Sequence, residues 1–226
     1  MREWNELPAK MRTPKVREYY DILKKKEWQL ACKRCFDVLM SSFLLMLLFL
    51  PMCVIAVMIA CDSPGGVFFR QVRITEYGRK FKIHKFRTMA KDAGGSAVTV
   101  AGDMRVTRIG KTLRKYRLDE LPQLIDVLFG DMSFVGTRPE VPRYVKEYDE
   151  EMLATLLMKA GITSKASILY KDEEKLLDGA EDTDRVYIRE ILPGKMKYNL
   201  EALRSFSLAD DLKTMIMTVF AVFGGE

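Results

Sequence analysis

An α+β fold, mostly helical, is what this sequence predicts, and three observations predict it. A run of 24 residues without a charge, Val38–Cys61, carries Pro51 near its middle. Two segments of strand-like composition, 67–72 and 80–86, flank a turn-like Glu76-Tyr77-Gly78. Beyond residue 108, helical periodicity and helix-stopping residues recur almost to the end. At 226 residues the chain is one domain, or one domain with appendages, and is large enough to bury its own core.

Residues 1–13 are polar and contain Pro8, which suits a loose arm. Thr13-Pro14 reads as an N-cap followed by proline at the first helical position. A basic, partly amphipathic helix should follow through Lys24-Lys25-Lys26 towards Lys33-Arg34, suited either to an anionic headgroup layer or to solvent. The apolar run would reach about 36 Å as a helix, enough for a hydrocarbon core of about 30 Å. Pro51 removes a helical hydrogen bond and favours a kink. Basic residues lie on both sides of the run: Lys24, Lys25, Lys26, Lys33 and Arg34 before it, Arg70 and Arg73 after it. A spanning helix keeps its Lys and Arg excess on one side. A re-entrant helix bent at Leu50-Pro51, with arms 38–50 and 52–61, satisfies both flanks. The run begins too late, and lacks a small-residue cleavage site, to be a cleavable signal peptide.

After the turn cluster Ser63-Pro64-Gly65-Gly66, the hairpin is expected, and then a mobile loop over 90–104. Helices are expected from Arg108, over 119–129 with Pro122 in its first turn and Gly130 as its stop, over 140–158, over 183–192 and 194–204 divided by Pro193, and over 208–223.

The net charge of +6 and pI near 9.0 favour an anionic membrane surface or a phosphorylated substrate. No zinc-finger, helix-turn-helix or RRM pattern accompanies the charge, so nucleic acid is the least favoured partner. Cys32 and Cys35 form a C-x-x-C, but a zinc site needs two more ligands and the single histidine, His84, is remote in sequence. Reduced thiols in a cytosol-facing setting are the simpler reading of the four cysteines.

The chemistry concentrates in Arg114-Lys115-Tyr116-Arg117-Leu118-Asp119-Glu120, where positive charges precede two carboxylates at a helix start. Helix capping alone would explain acids there. Adjacent helical residues diverge, so the two acids suit two roles, a nucleophile and a metal ligand. A carboxylate can attack an activated phosphoryl group. Two like charges about 4 Å apart repel by roughly 4 kcal/mol at an effective dielectric of about 20, so such chemistry calls for Mg²⁺, guanidinium groups or both. Further basic clusters are Lys85-Phe86-Arg87-Thr88-Met89 and Gly136-Thr137-Arg138-Pro139, where Arg138 offers a bidentate phosphate fork.

Four segments, in this order, resemble the bacterial sugar transferase family, the monotopic phosphoglycosyl transferases of surface-glycan biosynthesis. They are Lys33-Arg34-x-Phe36-Asp37, Lys85 to Met89, Leu118-Asp119-Glu120-Leu121-Pro122-Gln123-Leu124, and Gly130 to Glu140. The resemblance covers about residues 30–223. After the N-terminal arm and basic helix read over 1–30, it implies a re-entrant membrane helix over 31–62 and a cytosol-facing catalytic domain with interfacial helices over 63–226, at the bacterial inner membrane. It implies Mg²⁺ and a two-step reaction. Asp119 attacks a UDP-sugar, UMP leaves, and polyprenyl phosphate, the undecaprenyl form being expected, takes the phosphosugar. By the same resemblance Glu120, with Asp119, serves the metal. Lys85, Arg114 and Arg138 with Pro139, and more weakly Arg87, contact phosphate or nucleotide. Leu50-Pro51 stands where the family often has Ser-Pro. Gly161-Ile162-Thr163 leads to Ser164-Lys165-Ala166-Ser167-Ile168 rather than Gly-Trp-Ala-Gln, so no sugar preference is transferred. A homodimer is compatible with the sequence.

Two other readings stay open at this point. Asp182-Thr183-Asp184 has the D-x-D spelling of a metal-dependent glycosyltransferase that would release UDP. A membrane-tethered scaffold would use the basic clusters for lipid headgroups alone.

Overall fold

The computed structural model describes residues 1–90, 104–171, 173–177 and 182–223. The loop expected over 90–104 therefore lies, apart from its two ends, outside the described residues.

The first residues are not a loose arm. They form 3₁₀ turns at Trp4–Glu6 and Ala9–Met11, and Leu7 and Met11 are buried. Helix α1, Pro14–Lys24, opens as expected, with the Thr13 hydroxyl accepting from Val16 N–H. Its apolar side, Val16, Tyr19, Tyr20 and Leu23, joins Leu7, Met11, Ala154, Leu156, Leu157, Leu203 and Phe206 in one core. That face is spent inside the protein, so it is closed to a headgroup layer. The chain turns at Lys25-Lys26 instead of running straight on.

Helix α2, Glu27–Asp62, has 36 residues and a mean hydropathy of 2.9 over its most apolar stretch. Helical structure is continuous through Pro51. Phe36, Met40, Leu44, Leu45 and Leu48 pack on one cluster, and Met52, Ile55, Ala56 and Ile59 on another. The i, i+4 recurrence of these residues makes one stripe. Leu39, Phe43, Met46, Leu47, Leu50, Val54 and Val57 are exposed.

Both ends of α2 are tied to the same domain. Near its start, Lys33 Nζ donates to Val135 O at 2.9 Å and pairs with Asp211 at 2.5 Å. Arg34 caps the carbonyls of Val127 and Leu128, and Asp37 accepts from Phe134 N–H. At its end, Asp62 accepts from Ile109 N–H at 3.1 Å. Cys32 and Cys35 are exposed, unpaired thiols.

The expected hairpin is present: β1, Phe68–Ile74, pairs antiparallel with β2, Lys80–Phe86. Its turn needs positive φ at Tyr77 (56°) and Gly78 (74°). Helix α3, Arg108–Lys115, follows, then a 3₁₀ turn at Leu118–Glu120 and α4, Gln123–Phe129. Pro122 is thus the N-cap of α4 rather than a residue of its first turn, and Gly130 closes it at φ 85°.

Two short strands had no sequence signal, because four residues are too few to show a period. Strand β3, Met132–Val135, and β4, Ala160–Thr163, pair in parallel. Between them the helix expected over 140–158 is replaced by the single turn α5, Pro142–Val145, and a 3₁₀ segment at Met152–Leu157. Short α6, Lys165–Leu169, α7, Glu173–Leu176, and α8, Thr183–Val186, follow. Pro193 does not divide two helices. A π-helical turn at Tyr187–Ile191 runs into α9, Leu192–Arg204, so Pro193 lies within one continuous helical run, directly after the π turn. Helix α10, Leu208–Phe223, has the expected bounds. The chain is α+β and mostly helical, with two two-stranded sheets among the described residues.

The β3–β4 pair depends on two glycines touching. A Cβ on Gly161 would lie 2.1 Å from Gly136 N. Gly161→Ala should therefore destabilise the protein by about 3 kcal/mol, the upper range for overpacking, measured by urea denaturation. An unchanged midpoint would show that this backbone contact is slack.

Candidate active site

Asp119 and Glu120 lie in the 3₁₀ turn between α3 and α4. The turn exists because Arg117 takes the left-handed conformation, φ 52° and ψ 24°, which is uncommon for a residue with a side chain. This reverses the chain after α3 and sets the two carboxyl groups in front of strand β2.

Glu120 is 7% exposed. Its Oε1 receives Lys85 Nζ at 2.7 Å and an Arg138 nitrogen at 3.1 Å, and its Oε2 lies 3.9 Å from Arg117. Burial pushes the carboxyl up, but Lys85, Arg138 and Arg117 outweigh it and hold Glu120 well below the usual carboxylate range. Arg138 is held above the usual guanidinium range, first by Glu120. Asp119, beside it, is half-buried. Burial raises its carboxyl, and the field of Glu120 adds to this against the pull of Lys85, Arg114 and Arg138. Two neighbouring acids thus have divergent environments, one neutralised in place and one surrounded by cations at longer range.

The structure brings together Lys85, Arg114, Asp119, Glu120 and Arg138. Lys85 arrives on the last turn of β2. Arg114 arrives on α3, with its Nε donating to the Thr88 hydroxyl at 2.9 Å. Arg138 arrives on the loop that leaves β3 through Gly136. Pro139 supports that loop, its carbonyl accepting from Arg73 at 3.0 Å. Thr88 and Arg117 were not singled out by sequence. The run of cations before Asp119 was the signal available for Arg117, and the Lys85-to-Met89 segment was the signal available for Thr88.

Arg87 stands apart. It is buried, and its two terminal nitrogens donate to the carbonyls of Ser63 and Pro64, just past the end of α2. Its terminal nitrogens anchor the end of the apolar helix, and its buried Nε has no hydrogen-bond partner among the described residues. Arg87→Met should cost about 2 kcal/mol of stability, the scale of bonds from a charged donor, and leave the donor KM within a factor of about two. A melting curve and steady-state kinetics test this. A large KM increase without destabilisation would restore Arg87 to the site.

The D-x-D triplet serves local structure. Asp182 caps α8 through Arg185 N–H, and Asp184 accepts from the Tyr144 hydroxyl and pairs with Arg143. Among the described residues no group of three or more His, Cys, Asp or Glu could enclose a metal. Asp119 and Glu120 would be the carboxylates to hold a Mg²⁺ that brings phosphate and water ligands of its own, although Glu120 Oε1 is already paired with Lys85 and Arg138.

The sequence profile described as bacterial sugar transferase matches residues 28–225. The chain belongs to the bacterial sugar transferase family. Among this family member's relatives is the UDP-N-acetylgalactosamine-undecaprenyl-phosphate N-acetylgalactosaminephosphotransferase of Aeromonas hydrophila, 34% identical over 85% of this chain and 44% of the relative. The UDP-glucose:undecaprenyl-phosphate glucose-1-phosphate transferase of Escherichia coli (strain K12) is 35% identical over 84% of this chain and 40% of the relative. A protein of the same name from Caulobacter vibrioides is 36% identical, over 83% of this chain and 68% of the relative. The chain spans about two fifths of the length of the first two. Their names carry different sugars at nearly equal identity, so similarity does not select a sugar.

Proposed function

We propose that this family member transfers a phosphosugar from a UDP-sugar to polyprenyl phosphate, the undecaprenyl form by analogy with its relatives, and releases UMP. The observation that carries the reading is the split dyad. Glu120 is fixed by Lys85 and Arg138, while Asp119, next to it, faces the same cations without being fixed to either of these two by an ion pair.

In the first step an Asp119 carboxylate oxygen attacks the sugar-linked phosphorus, and the bond from that phosphorus to the bridging oxygen breaks. UMP leaves with that oxygen, and the phosphosugar stays on Asp119. In the second step a phosphate oxygen of the polyprenyl acceptor attacks the same phosphorus. The Asp119 carboxylate is freed, and a polyprenyl-diphospho-sugar results. Lys85, Arg114 and Arg138 offset the repulsion between carboxylate and diphosphate, and their placement before substrate arrives makes this preorganised. Glu120 and Asp119 would hold Mg²⁺, which when bound neutralises phosphate charge.

Helix α2 is read as the membrane anchor. Its outward side is a continuous apolar surface, and a polar domain grips it at Lys33, Arg34 and Asp37 and again at Asp62. A helix gripped at both ends by one polar domain fits entry and exit on one face better than a crossing, with the bend at Leu50-Pro51. Ile216, Val219 and Phe220 on α10, with Phe68 and Phe69 on β1, are exposed and suit the same interface. On this reading the reaction takes place at the cytosolic face of the inner membrane.

The test is product analysis in detergent or nanodiscs, with a panel of UDP-sugars, polyprenyl phosphate and Mg²⁺. UMP release supports the reading. UDP release in its place would make the protein a simple glycosyltransferase, and no nucleotide product across the panel would favour a scaffold.

A further inference from the structure

His84 and Asp126 form a part-buried contact that the reaction above leaves unused. Asp126, on α4, is 1% exposed. Its Oδ2 accepts from the backbone N–H of His84 at 2.9 Å, and its Oδ1 lies 2.6 Å from His84 Nδ1. Burial pushes the Asp126 carboxyl up, and both His84 contacts pull it back.

The geometry of the strand gives this contact a consequence. Among the described residues strand β2 has β1 on one side only, so its other edge carries backbone groups without a strand partner. The His84 amide is on that edge, and Asp126 satisfies it. A single carboxylate thus fixes both the backbone and the ring of residue 84, and so the path of the chain into Lys85. Lys85 reaches Glu120, six residues before Asp126. The strand is therefore fastened to the 3₁₀ turn and α4 at two points, Lys85–Glu120 and His84–Asp126, over a shared apolar layer of Phe81, Ile83, Leu124 and Val127.

The two fastenings are unequal. In the proposed reaction Lys85 must redirect part of its charge from Glu120 to incoming phosphate. A bond that has to yield during turnover is a poor anchor for its own strand. Among the described residues the neighbouring pair bonds to neither Asp119 nor Glu120, and can hold while Lys85 moves.

Resting on the phosphosugar-transfer reading, we infer that His84 is a positioning residue, which through Asp126 sets the strand register that aims Lys85 at Glu120 and the donor phosphate. The substrate would not contact it. Its loss should appear in turnover more than in donor binding.

The experiment compares His84→Ala, His84→Asn and His84→Gln with the wild type, by UMP release and by thermal melting. An asparagine amide nitrogen can stand near the place of Nδ1 and donate to Asp126, whereas glutamine carries its amide one carbon too far. His84→Ala should lower kcat about tenfold, on the scale of a misplacement of less than an ångström, with the donor KM within about twofold. His84→Asn should recover to within about threefold of wild type, and His84→Gln should not. Where the alanine variant does not fold, the Asn–Gln comparison decides by itself.

Wild-type kcat in His84→Ala, equal kcat in the Asn and Gln variants, or a KM increase at constant kcat would each overturn the positioning role while leaving the transfer reading intact. A wild-type protein that makes no UMP overturns both.

Discussion

Asp119→Asn is expected to reduce UMP release by a factor of about a thousand or more, the scale on which removal of a covalent nucleophile acts. The amide is nearly the same shape, so the fold and membrane association should be unchanged. It lacks the charge and the nucleophilic oxygen that bonding to phosphorus requires. The companion result is a mass shift. Wild-type protein quenched with a UDP-sugar in the absence of polyprenyl phosphate should carry one phosphosugar on the peptide containing Asp119, and Asp119→Asn should carry none. UMP release by the variant at the wild-type rate, or an adduct mapped to a different side chain, would remove Asp119 from the nucleophile's role.

Glu120→Gln should weaken both the fold and the activity. Glutamine can still accept a hydrogen bond, but Lys85 and Arg138 lose the charge that sits 2.7 Å and 3.1 Å away. Removing one partner of a buried charge cluster costs about 3 kcal/mol at the low end, or roughly 6–12 °C in melting temperature for a domain of this size.

The pH dependence has a definite sign. Glu120 titrates lower in the fold than its usual value of 4.5, so its stabilisation is fully present above that value and is lost as pH falls below it. The stability gap between wild type and Glu120→Gln should be equal at pH 8 and pH 6 and shrink below about pH 4.5. A gap that instead closes between pH 8 and pH 6 would mean that Glu120 is not held ionised by its neighbours. With the two freed cations at the donor phosphate, activity should fall although the donor KM need not rise.

The parts of this molecule that were legible in sequence carry local signals. Thr13-Pro14 marks a helix start through one hydroxyl and one fixed φ. Gly130 marks a stop because φ 85° is open to glycine. The hairpin shows as two runs of strand-like composition around a glycine-bearing turn, and α10 as an amphipathic stripe. The expected loose arm failed because burial of Leu7 and Met11 depends on partners near residues 154–157 and 203–206, which local composition does not see. Strands β3 and β4 were missed because four residues hold no measurable period and the parallel pairing joins segments 28 positions apart. The resemblance grouped Arg87 with the phosphate contacts, but its hold on the carbonyls of Pro64 and Ser63 joins segments 23 and 24 positions apart, which local sequence does not show.

The sequence by itself determined the start of α1, the stop of α4, the bounds of α10, the apolar run with its basic flanks, and the run of cations ahead of two acids, since these are properties of residues close together in the chain. Tertiary structure alone decided that Glu120 is the neutralised acid and Asp119 the other one. Lys85 and Arg138 come from 35 positions before and 18 positions after Glu120, and charge acts through space at distances of a few ångströms, whatever the separation along the chain.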